Sequence, residues 1–150
     1  MVVDKSGENL YFTAGSRLGV VNLSSNQVRI LISSHNNPQW GETHFDGPFS
    51  QATLSYNTRA AVFITENILL ITDIDNYALR VVDLVAETVS SICTPGSYAN
   101  YRTRAPYCPN RVFMFSLMTL PEEGKVLLGG YDMIGYLPFG GKYHQPSVIK

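Results

Sequence analysis

The run Leu69-Leu-Ile-Thr-Asp-Ile-Asp-Asn-Tyr-Ala-Leu-Arg-Val-Val-Asp-Leu84 holds two β-rich stretches separated by a short polar turn. Similar text occurs earlier as Leu10-Tyr-Phe-Thr-Ala-Gly-Ser-Arg-Leu-Gly-Val-Val-Asn-Leu23, and later, more loosely, as Val126-Leu-Leu-Gly-Gly-Tyr-Asp-Met-Ile-Gly-Tyr-Leu-Pro-Phe139. Aligned on Thr13 and Thr72, the first two copies are offset by 59 positions, and the second and third are offset by 57. A unit that recurs at a nearly constant spacing is typical of a repeat architecture.

Each unit contains further short β-rich runs around this core. One run precedes each core, at 1–3, 61–64 and 113–120, and in the first two units another follows, at 28–32 and 89–93. The connections are polar clusters with Gly, Pro or Asn, which are typical of hairpins. Four short strands joined in up-and-down order describe a propeller blade. We therefore predict an all-β fold, a partial β-propeller of about three four-stranded antiparallel blades.

The predicted blades span approximately 1–32, 57–93 and 112–150 of one incomplete propeller domain, with long inter-blade loops at 33–56 and 94–111. These loops explain why the period exceeds the roughly 40–45 residues of compact propeller repeats. A β-sandwich or a closed barrel is the alternative architecture. Neither of these folds predicts that the same strand–turn–strand sequence pattern recurs at a fixed spacing.

Composition narrows the class of protein. The chain has 150 residues, 45% of them hydrophobic and 15% charged, which suits one folded β-rich domain. A net charge of −1 gives no global field that would attract nucleic acid or an anionic membrane. No apolar stretch approaches the roughly 18 residues of a membrane span, so we expect no membrane insertion. The N-terminus lacks a basic start followed by an apolar segment, so we expect no secretory signal in this chain.

Two cysteines, Cys93 and Cys108, flank a segment rich in Pro, Gly and Tyr. A disulfide is the simplest interpretation, and closing a loop of that size would contribute roughly 3 kcal/mol. It predicts an extracellular location or the secretory pathway, whereas two reduced thiols in the cytosol are the alternative. Asn22-Leu23-Ser24 fits the acceptor pattern for N-glycosylation, which agrees with an oxidising compartment.

The middle unit resembles a known family. Asp46-Gly-Pro-Phe-Ser-Gln-Ala-Thr-Leu-Ser-Tyr56, then Ala61-Val-Phe-Ile64, then 70–84, is similar to an NHL repeat with its "DG…A.L" lead-in and "TD..N..IRV.D" core. The resemblance is specific over 45–92, moderate in the first blade and present only in outline in the last. Asn76-Tyr-Ala-Leu79 stands where the family has Asn-His-Arg-Ile.

The resemblance has consequences for the whole chain. NHL propellers generally close with about six blades, so it implies that roughly half of the ring is missing here. An open half-ring would leave apolar blade faces in water. The resemblance therefore implies a fragmentary chain, self-association through open propeller edges, or poor solubility.

The most site-like segment is 98–111, because it combines the residue types that dominate binding hot spots. A disulfide between the two cysteines would brace it. We predict a partner-binding loop made of Tyr98, Tyr101, Arg102, Arg104, Tyr107 and Arg111. A plain solvated inter-blade loop is the alternative. Single-stranded RNA could stack on such a surface, but the sequence shows no basic face elsewhere to support it.

Candidate catalytic and metal-binding groups are few. Asp73 and Asp75 lie beside the central turn of the second blade, but Ala14 and Gly130 occupy the positions equivalent to Asp73, so no ring of acids converges on an axis. We expect Asp73 to cap its own turn through backbone hydrogen bonds. The histidines lack the spacing of a metal-ligand pair: His35, His44 and His144. We therefore predict no catalytic, metal-binding or cofactor-binding residues and no cofactor.

The sequence favours a non-catalytic module that mediates protein–protein interaction, with a protein as the expected partner. The alternative is a fragment of a propeller-type enzyme, such as a metal-dependent hydrolase or lyase, whose site is completed by missing blades. A stoichiometric metal in the full-length protein would favour the enzyme.

Overall fold

A computed structural model describes residues 1–33, 45–76, 78–93, 116–120, 124–129, 134–138 and 147–149. The described residues form strands and turns and contain no helix, which confirms the all-β prediction. It follows that no helix in this part of the chain is long and apolar enough to cross a membrane.

The strands form three antiparallel sheets, each built on a four-stranded meander in chain order, to which sheet 2 adds one further strand. Sheet 1 contains β1 (Val2–Val3), β2 (Asn9–Ala14), β3 (Arg17–Asn22) and β4 (Val28–Ser33). Sheet 2 contains β5 (Gly47–Pro48), β6 (Thr58–Phe63), β7 (Ile68–Asp73), β8 (Ala78–Asp83) and β9 (Thr88–Cys93), in the spatial order β5-β9-β8-β7-β6. Sheet 3 contains β10 (Ser116–Leu120), β11 (Lys125–Gly129), β12 (Ile134–Pro138) and β13 (Ser147–Ile149). This arrangement is a partial β-propeller, as predicted.

Sheets 1 and 2 repeat the same backbone irregularities. The β3–β4 ladder shifts register between Leu18 and Gly19, and the β8–β9 ladder shifts between Leu79 and Arg80, at the equivalent step. The turn between the second and third strands of the meander differs, with two residues at 15–16 in sheet 1 and four at 74–77 in sheet 2. Because this turn is two residues longer in sheet 2, the offset in sequence number between equivalent residues of the two sheets is two larger after the turn than before it.

The outer hairpins also match. Asp83 Oδ1 accepts hydrogen bonds from the backbone amides two and three positions later, at 2.9 and 2.8 Å, and Asn22 Oδ1 accepts one from the amide three positions later, at 3.0 Å. Each turn then ends on a residue with positive φ, Asn26 at 57° and Glu87 at 51°. Side-chain oxygens of Asn and Asp that bind nearby amides favour such turns over continued strand.

The sheets pack face to face in chain order. We call the face of a sheet that points toward the preceding sheet its leading face, and the opposite one its trailing face. The core between sheets 1 and 2 joins the trailing face of sheet 1 to the leading face of sheet 2, through Leu18, Ile32, Ala52, Leu54, Ala61, Leu69, Ile71, Val82 and Val89. The core between sheets 2 and 3 contains Ile64, Leu70, Leu79, Val81, Ile92, Val126 and Leu128.

Sheet 2 is buried on both faces, which explains why its central strands are almost continuously apolar in sequence. In β7, Leu69 and Ile71 enter the first core while Leu70 enters the second, as the two-residue period of a strand requires. The Tyr11 ring on sheet 1 meets the Phe63 ring on sheet 2 edge to face, with centroids 5.4 Å apart. Aromatic pairs of this geometry add about 0.5–1.5 kcal/mol beyond the area that they bury.

The segment 45–56, which the sequence assigned to an inter-blade loop, packs on sheet 2. Its residues Gly47 and Pro48 form β5 and pair with Val89 and Thr88 of β9. Ala52 and Leu54 in the same segment are buried. Sheet 2 therefore has a fifth strand where the repeat predicted four, and we call residues 45–56 the lead-in segment.

Candidate functional site

Arg80 has no exposed surface, and among the charged groups of the described residues only Asp73 is equally buried. Its Nη1 donates to Asp73 Oδ2 at 2.8 Å and to the Thr53 carbonyl oxygen at 3.1 Å. Its Nη2 donates to Asp46 Oδ1 at 3.1 Å and to the Phe45 carbonyl oxygen at 2.7 Å. The guanidinium group thus joins β7 to the lead-in segment at two places, positions 45–46 and position 53.

The two carboxylates have further donors. Asp46 accepts the backbone amide of Ser91 at 3.0 Å and its hydroxyl at 2.9 Å. Asp73 accepts the backbone amide of Ser55 at 2.9 Å and the side-chain amide of Asn76 at 2.9 Å. We expected Asp73 to bind backbone amides of its own turn, but the backbone amide that it binds belongs to the lead-in segment. With each charge paired and hydrogen-bonded, this cluster is a structural brace.

The brace is specific to sheet 2. Cross-strand register places Gly19 in sheet 1 and Gly135 in sheet 3 at the position of Arg80. A Cβ on Gly19 would lie 2.5 Å from the ring of Phe12, so that ring occupies the space that a side chain would need. The described residues also contain no group of three or more His, Cys, Asp or Glu that could hold a metal ion. The three histidines of the sequence, His35, His44 and His144, lie outside the described residues.

One end of the sheets carries an exposed aromatic side chain. We call the end that holds the turns at 15–16 and 74–77 the turn end. Here 79% of Tyr56 is exposed, and its ring lies over Gly15, where a Cβ would come within 3.1 Å of it. The Thr58 hydroxyl donates to the Gly15 carbonyl oxygen at 3.1 Å, and the Ile74 amide donates to the Asn57 carbonyl oxygen at 3.1 Å. The backbone on both sides of the turn end is therefore fixed, and Tyr56 stands at the junction of sheets 1 and 2.

Polar side chains surround this aromatic residue. Asn57 donates through Nδ2 to Asp75 Oδ1 at 3.4 Å, and its Oδ1 accepts from Arg59 Nε at 3.0 Å. Asp75 and Arg59 are exposed. An exposed Tyr beside Arg and Asp groups combines apolar area with hydrogen-bonding groups, which is the composition of binding hot spots.

The strand ends that border the sequence-predicted binding loop lie at this end. Cys93, at the end of β9, pairs with Leu79 next to the 74–77 turn, and Ser116, at the start of β10, pairs with Gly129 at the end of β11. The chain therefore leaves sheet 2 at Cys93 and enters sheet 3 at Ser116, both at the turn end of their sheets. The loop residues Tyr98, Tyr101, Arg102, Arg104, Tyr107 and Arg111, and with them the Cys93–Cys108 disulfide, lie outside the described residues and stay predictions.

The proposed glycosylation site lies at the opposite end, in the β3–β4 turn. Asn22 Nδ2, the atom that would carry the glycan, donates to Asn9 Oδ1 at 3.3 Å. Its Oδ1 accepts hydrogen bonds from Ser24 and Ser25. Asn22 thus has a structural role as a turn cap, and its glycosylation stays a prediction.

Sequence analysis did not find Tyr56 or the burial of Arg80. The available signal for Arg80 was its place two residues before Val82, on the same strand face as an apolar core position. For Tyr56 the signal was an aromatic residue at the end of the lead-in motif, just before the next strand.

Comparison with known proteins supports the family resemblance. No family model matches the chain. The chain is 31% identical over 97 residues to NHL repeat-containing protein 2 of Gallus gallus, a match that covers 64% of this chain and 12% of that protein. The chain thus spans about an eighth of the length of this relative.

Solved structures with the same fold are much more distant in sequence. An auxiliary nutrient binding protein from Bacteroides ovatus superposes with a TM-score of 0.62 at 16% identity, over 86% of this chain and 34% of that one. An auxiliary nutrient binding protein from Bacteroides thetaiotaomicron gives 0.60 at 15% identity, over 89% of this chain and 36% of that one. The chain spans about a third of both. It resembles NHL-repeat proteins in sequence, and it has the fold of a partial β-propeller.

Proposed function

We propose that the chain is part of a non-catalytic propeller module that binds another protein through its turn end. The observation that carries the proposal is the exposed ring of Tyr56 at the junction of two sheets, beside the strand ends that border the Tyr- and Arg-rich segment. Tyr and Arg supply large contact area and several hydrogen-bond donors, and they are enriched among residues that dominate binding energy.

The fixed backbone around Tyr56 supports binding because little conformational entropy remains to be lost there. Thr58 donates a hydrogen bond from sheet 2 to Gly15 of sheet 1, and Ile74 donates one to Asn57 within sheet 2, so the turns on both sides are held in place. The β8–β9 and β3–β4 hairpins at the other end are tight turns braced by their own side chains. Long connections at one end and short turns at the other favour the first for recognition.

The similar structures agree with a binding role, since two of them are described as auxiliary nutrient binding proteins. The similar curated protein is described by its NHL repeats. For this chain we propose a protein partner, because Tyr and Arg are the residue types enriched where proteins bind the broad surface of another protein.

The test compares variants of the turn end for binding to a purified partner, identified by crosslinking to the full-length protein. We expect Tyr101, Arg102 and Arg104 changed together to Ala, and separately Tyr56→Ala, to weaken Kd by about tenfold or more, corresponding to at least about 1.4 kcal/mol. Val85→Ala is the matched control, because Val85 is 74% exposed in the hairpin at the opposite end. Unchanged affinity in both turn-end variants, or an equal loss in the control, would remove the turn end from the account.

The alternative enzyme is tested separately. Stoichiometric bound metal in the full-length protein, measured by elemental analysis, would favour a metal-dependent hydrolase or lyase over the binding module. We expect none.

A further inference from the structure

Arg59 is an exposed cation whose side chain is held in position by its neighbours. Its Nε donates to Asn57 Oδ1 at 3.0 Å, and Asn57 Nδ2 donates to Asp75 Oδ1 at 3.4 Å. The backbone of Asn57 is held as well, because its carbonyl oxygen accepts the Ile74 amide at 3.1 Å. A side chain that is already held loses less conformational entropy when it binds a partner. Arg59 is therefore a pre-organised donor on the surface of the turn end.

The hydrogen bond from Nε leaves the other edge of the guanidinium group available. Within the described ranges no carboxylate forms an ion pair with Arg59. Asp75 belongs to the same network, but the Asn57 amide binds both charged groups and lies between them. Two exposed, opposite charges are thus held apart by one neutral side chain. The Nη1 and Nη2 groups of Arg59 can bind a planar acceptor in bidentate fashion.

Arg80 in the same sheet shows which acceptors the Nη groups of an arginine bind in this chain. Its Nη1 binds the carboxylate of Asp73 at 2.8 Å, and its Nη2 binds that of Asp46 at 3.1 Å. Arg80 is buried and finds both carboxylates inside the molecule, whereas Arg59 is exposed to solvent. The acceptor that suits Arg59 is therefore a carboxylate or a phosphate supplied from outside the sheet.

Asp75 decides between these two acceptors. Its charge cancels that of Arg59, so this part of the surface has no net positive charge that would attract a polyanion such as nucleic acid. A single carboxylate beside Arg59 meets its counter-charge without a second negative group close to Asp75. The position of the network is also favourable, because sheet 2 is packed between two other sheets of the chain and its turn end stays open.

We propose that Arg59 binds an aspartate or glutamate side chain of the protein partner, next to the apolar contact made by Tyr56. This inference rests on the proposed function, to which it adds the chemistry of the partner. The partner surface would carry an acidic residue close to an apolar or aromatic one. The ring of Tyr56 packs on the second, and Nη1 and Nη2 of Arg59 bind the first.

The test uses two blocked peptides as probes, Ala-Glu-Phe-Glu-Ala and Ala-Gln-Phe-Gln-Ala, which differ only in charge. Nuclear magnetic resonance of the isotope-labelled chain follows the Nε–Hε signal of Arg59 during titration with each peptide. We expect the glutamate peptide to shift this signal and to bind at least about threefold more tightly than the glutamine peptide. The preference should disappear in Arg59→Gln and increase in Asp75→Asn, which removes the competing negative charge.

Lys5→Gln is the matched control, because it removes one positive charge from an exposed side chain at the opposite end of the sheets. The control should retain the preference of the native chain for the glutamate peptide. Circular dichroism checks that all variants fold. Equal affinity for the two peptides, or a preference that survives in Arg59→Gln, would overturn the inference. Tighter binding of oligothymidylate than of the glutamate peptide at the same Arg59 signal would overturn it too, in favour of nucleic acid.

The Tyr56→Ala variant separates this inference from the proposed function. If both peptides bind equally and Tyr56→Ala weakens both, the turn end binds peptides without the charge contact, so only the role of Arg59 is lost. If neither peptide binds and Tyr56→Ala also leaves binding of the purified partner unchanged, both the role of Arg59 and the binding role of Tyr56 are lost.

Discussion

Arg80 shows how one residue of the repeat motif holds distant segments together. It lies on β8, yet it binds two carboxylates and two carbonyl oxygens from segments 7 to 35 positions away in the chain. A buried ion pair is not by itself evidence of high stability, because removing two charges from water is costly. Its loss is costly nonetheless, because the remaining partners stay buried without their counter-charge.

We expect Arg80→Ala to lower the free energy of unfolding by about 3–5 kcal/mol, because Asp73 loses its buried counter-charge and the lead-in segment loses its main anchor. Arg80→Lys should lie between this variant and the native chain, because a lysine keeps the charge without the forked donors. Urea unfolding followed by circular dichroism measures both. Arg59→Ala is the control, since Arg59 is exposed, and its effect should stay within about 0.5 kcal/mol. An equal effect at positions 80 and 59 would contradict the buried brace.

Asp4 provides a pH-dependent contribution in the first hairpin. Partial desolvation opposes its ionisation, but hydrogen bonds from Asn9, Ser6 and Glu8 outweigh it and hold the pKa of Asp4 below its usual 3.8. The closest of these joins Asn9 Nδ2 to Asp4 Oδ2 at 2.8 Å. Since the folded-state pKa is the lower one, the stabilisation is present above the unfolded-state value and is lost as the pH falls through the folded-state pKa.

We therefore expect the native chain to be more stable than Asp4→Asn at neutral pH, and the difference to shrink as the pH falls below about 4. Urea midpoints of the two proteins at a series of pH values measure this difference. Ser24→Ala, which changes a hydroxyl donor in a different hairpin, is a control whose effect should not depend on pH. A difference between native and Asp4→Asn that stays constant down to about pH 3 would show that the carboxylate charge contributes nothing.

At the scale of elements, the outer hairpins combine a side-chain cap with a left-handed residue. Asn26 suits that conformation, because Asn tolerates positive φ, but Glu87 at φ 51° does not. Its carbonyl oxygen accepts the Phe49 amide at 2.8 Å, so the strained residue also anchors the lead-in segment. The hairpin keeps the strain because the surrounding hydrogen bonds fix its conformation.

We expect Glu87→Gly to raise the free energy of unfolding by about 0.5–1 kcal/mol, since glycine adopts positive φ without strain and the backbone bond to Phe49 remains. Val85→Gly in the same turn is the matched control. Val85 has no positive φ, so glycine there should only add unfolded-state entropy and lower the stability. Chemical unfolding of both variants tests the pair. A loss of stability in Glu87→Gly would contradict the strained conformation.

The sequence predicted the elements that are determined by local residue patterns. The β-rich runs around Thr13 and Thr72 and the turn residues between them identified the meander, because strand alternation and turn chemistry are local properties. The lead-in segment was assigned to a loop because its strand is only two residues long and its anchors on Ser91 and Arg80 lie more than 30 positions away. Contacts over such separations have no local signature. The same reason hid Tyr56, whose place at the turn end depends on sheets 1 and 2 meeting there.

At the scale of the whole molecule, the chain is a directional stack. Each sheet offers a leading face that fits the trailing face before it, and sheet 2, covered on both sides, holds the largest share of the buried residues. The surface salt bridge between Lys5 and Glu66, at 3.1 Å, contributes at most about 1 kcal/mol to stability because both side chains are exposed. Apolar packing between faces therefore holds the sheets together.

The core, the buried Arg80 and the turn end all depend on the strands forming three separate sheets that contact one another through their faces. Nuclear Overhauser effects in the isotope-labelled chain test this arrangement most directly. Three separate sheets should give cross-strand contacts between Leu10 and Val21 and between Leu69 and Val82, together with contacts between the Tyr11 and Phe63 rings. Contacts that pair β4 with β6 as neighbouring strands of one continuous sheet, without the ring contacts, would contradict this arrangement.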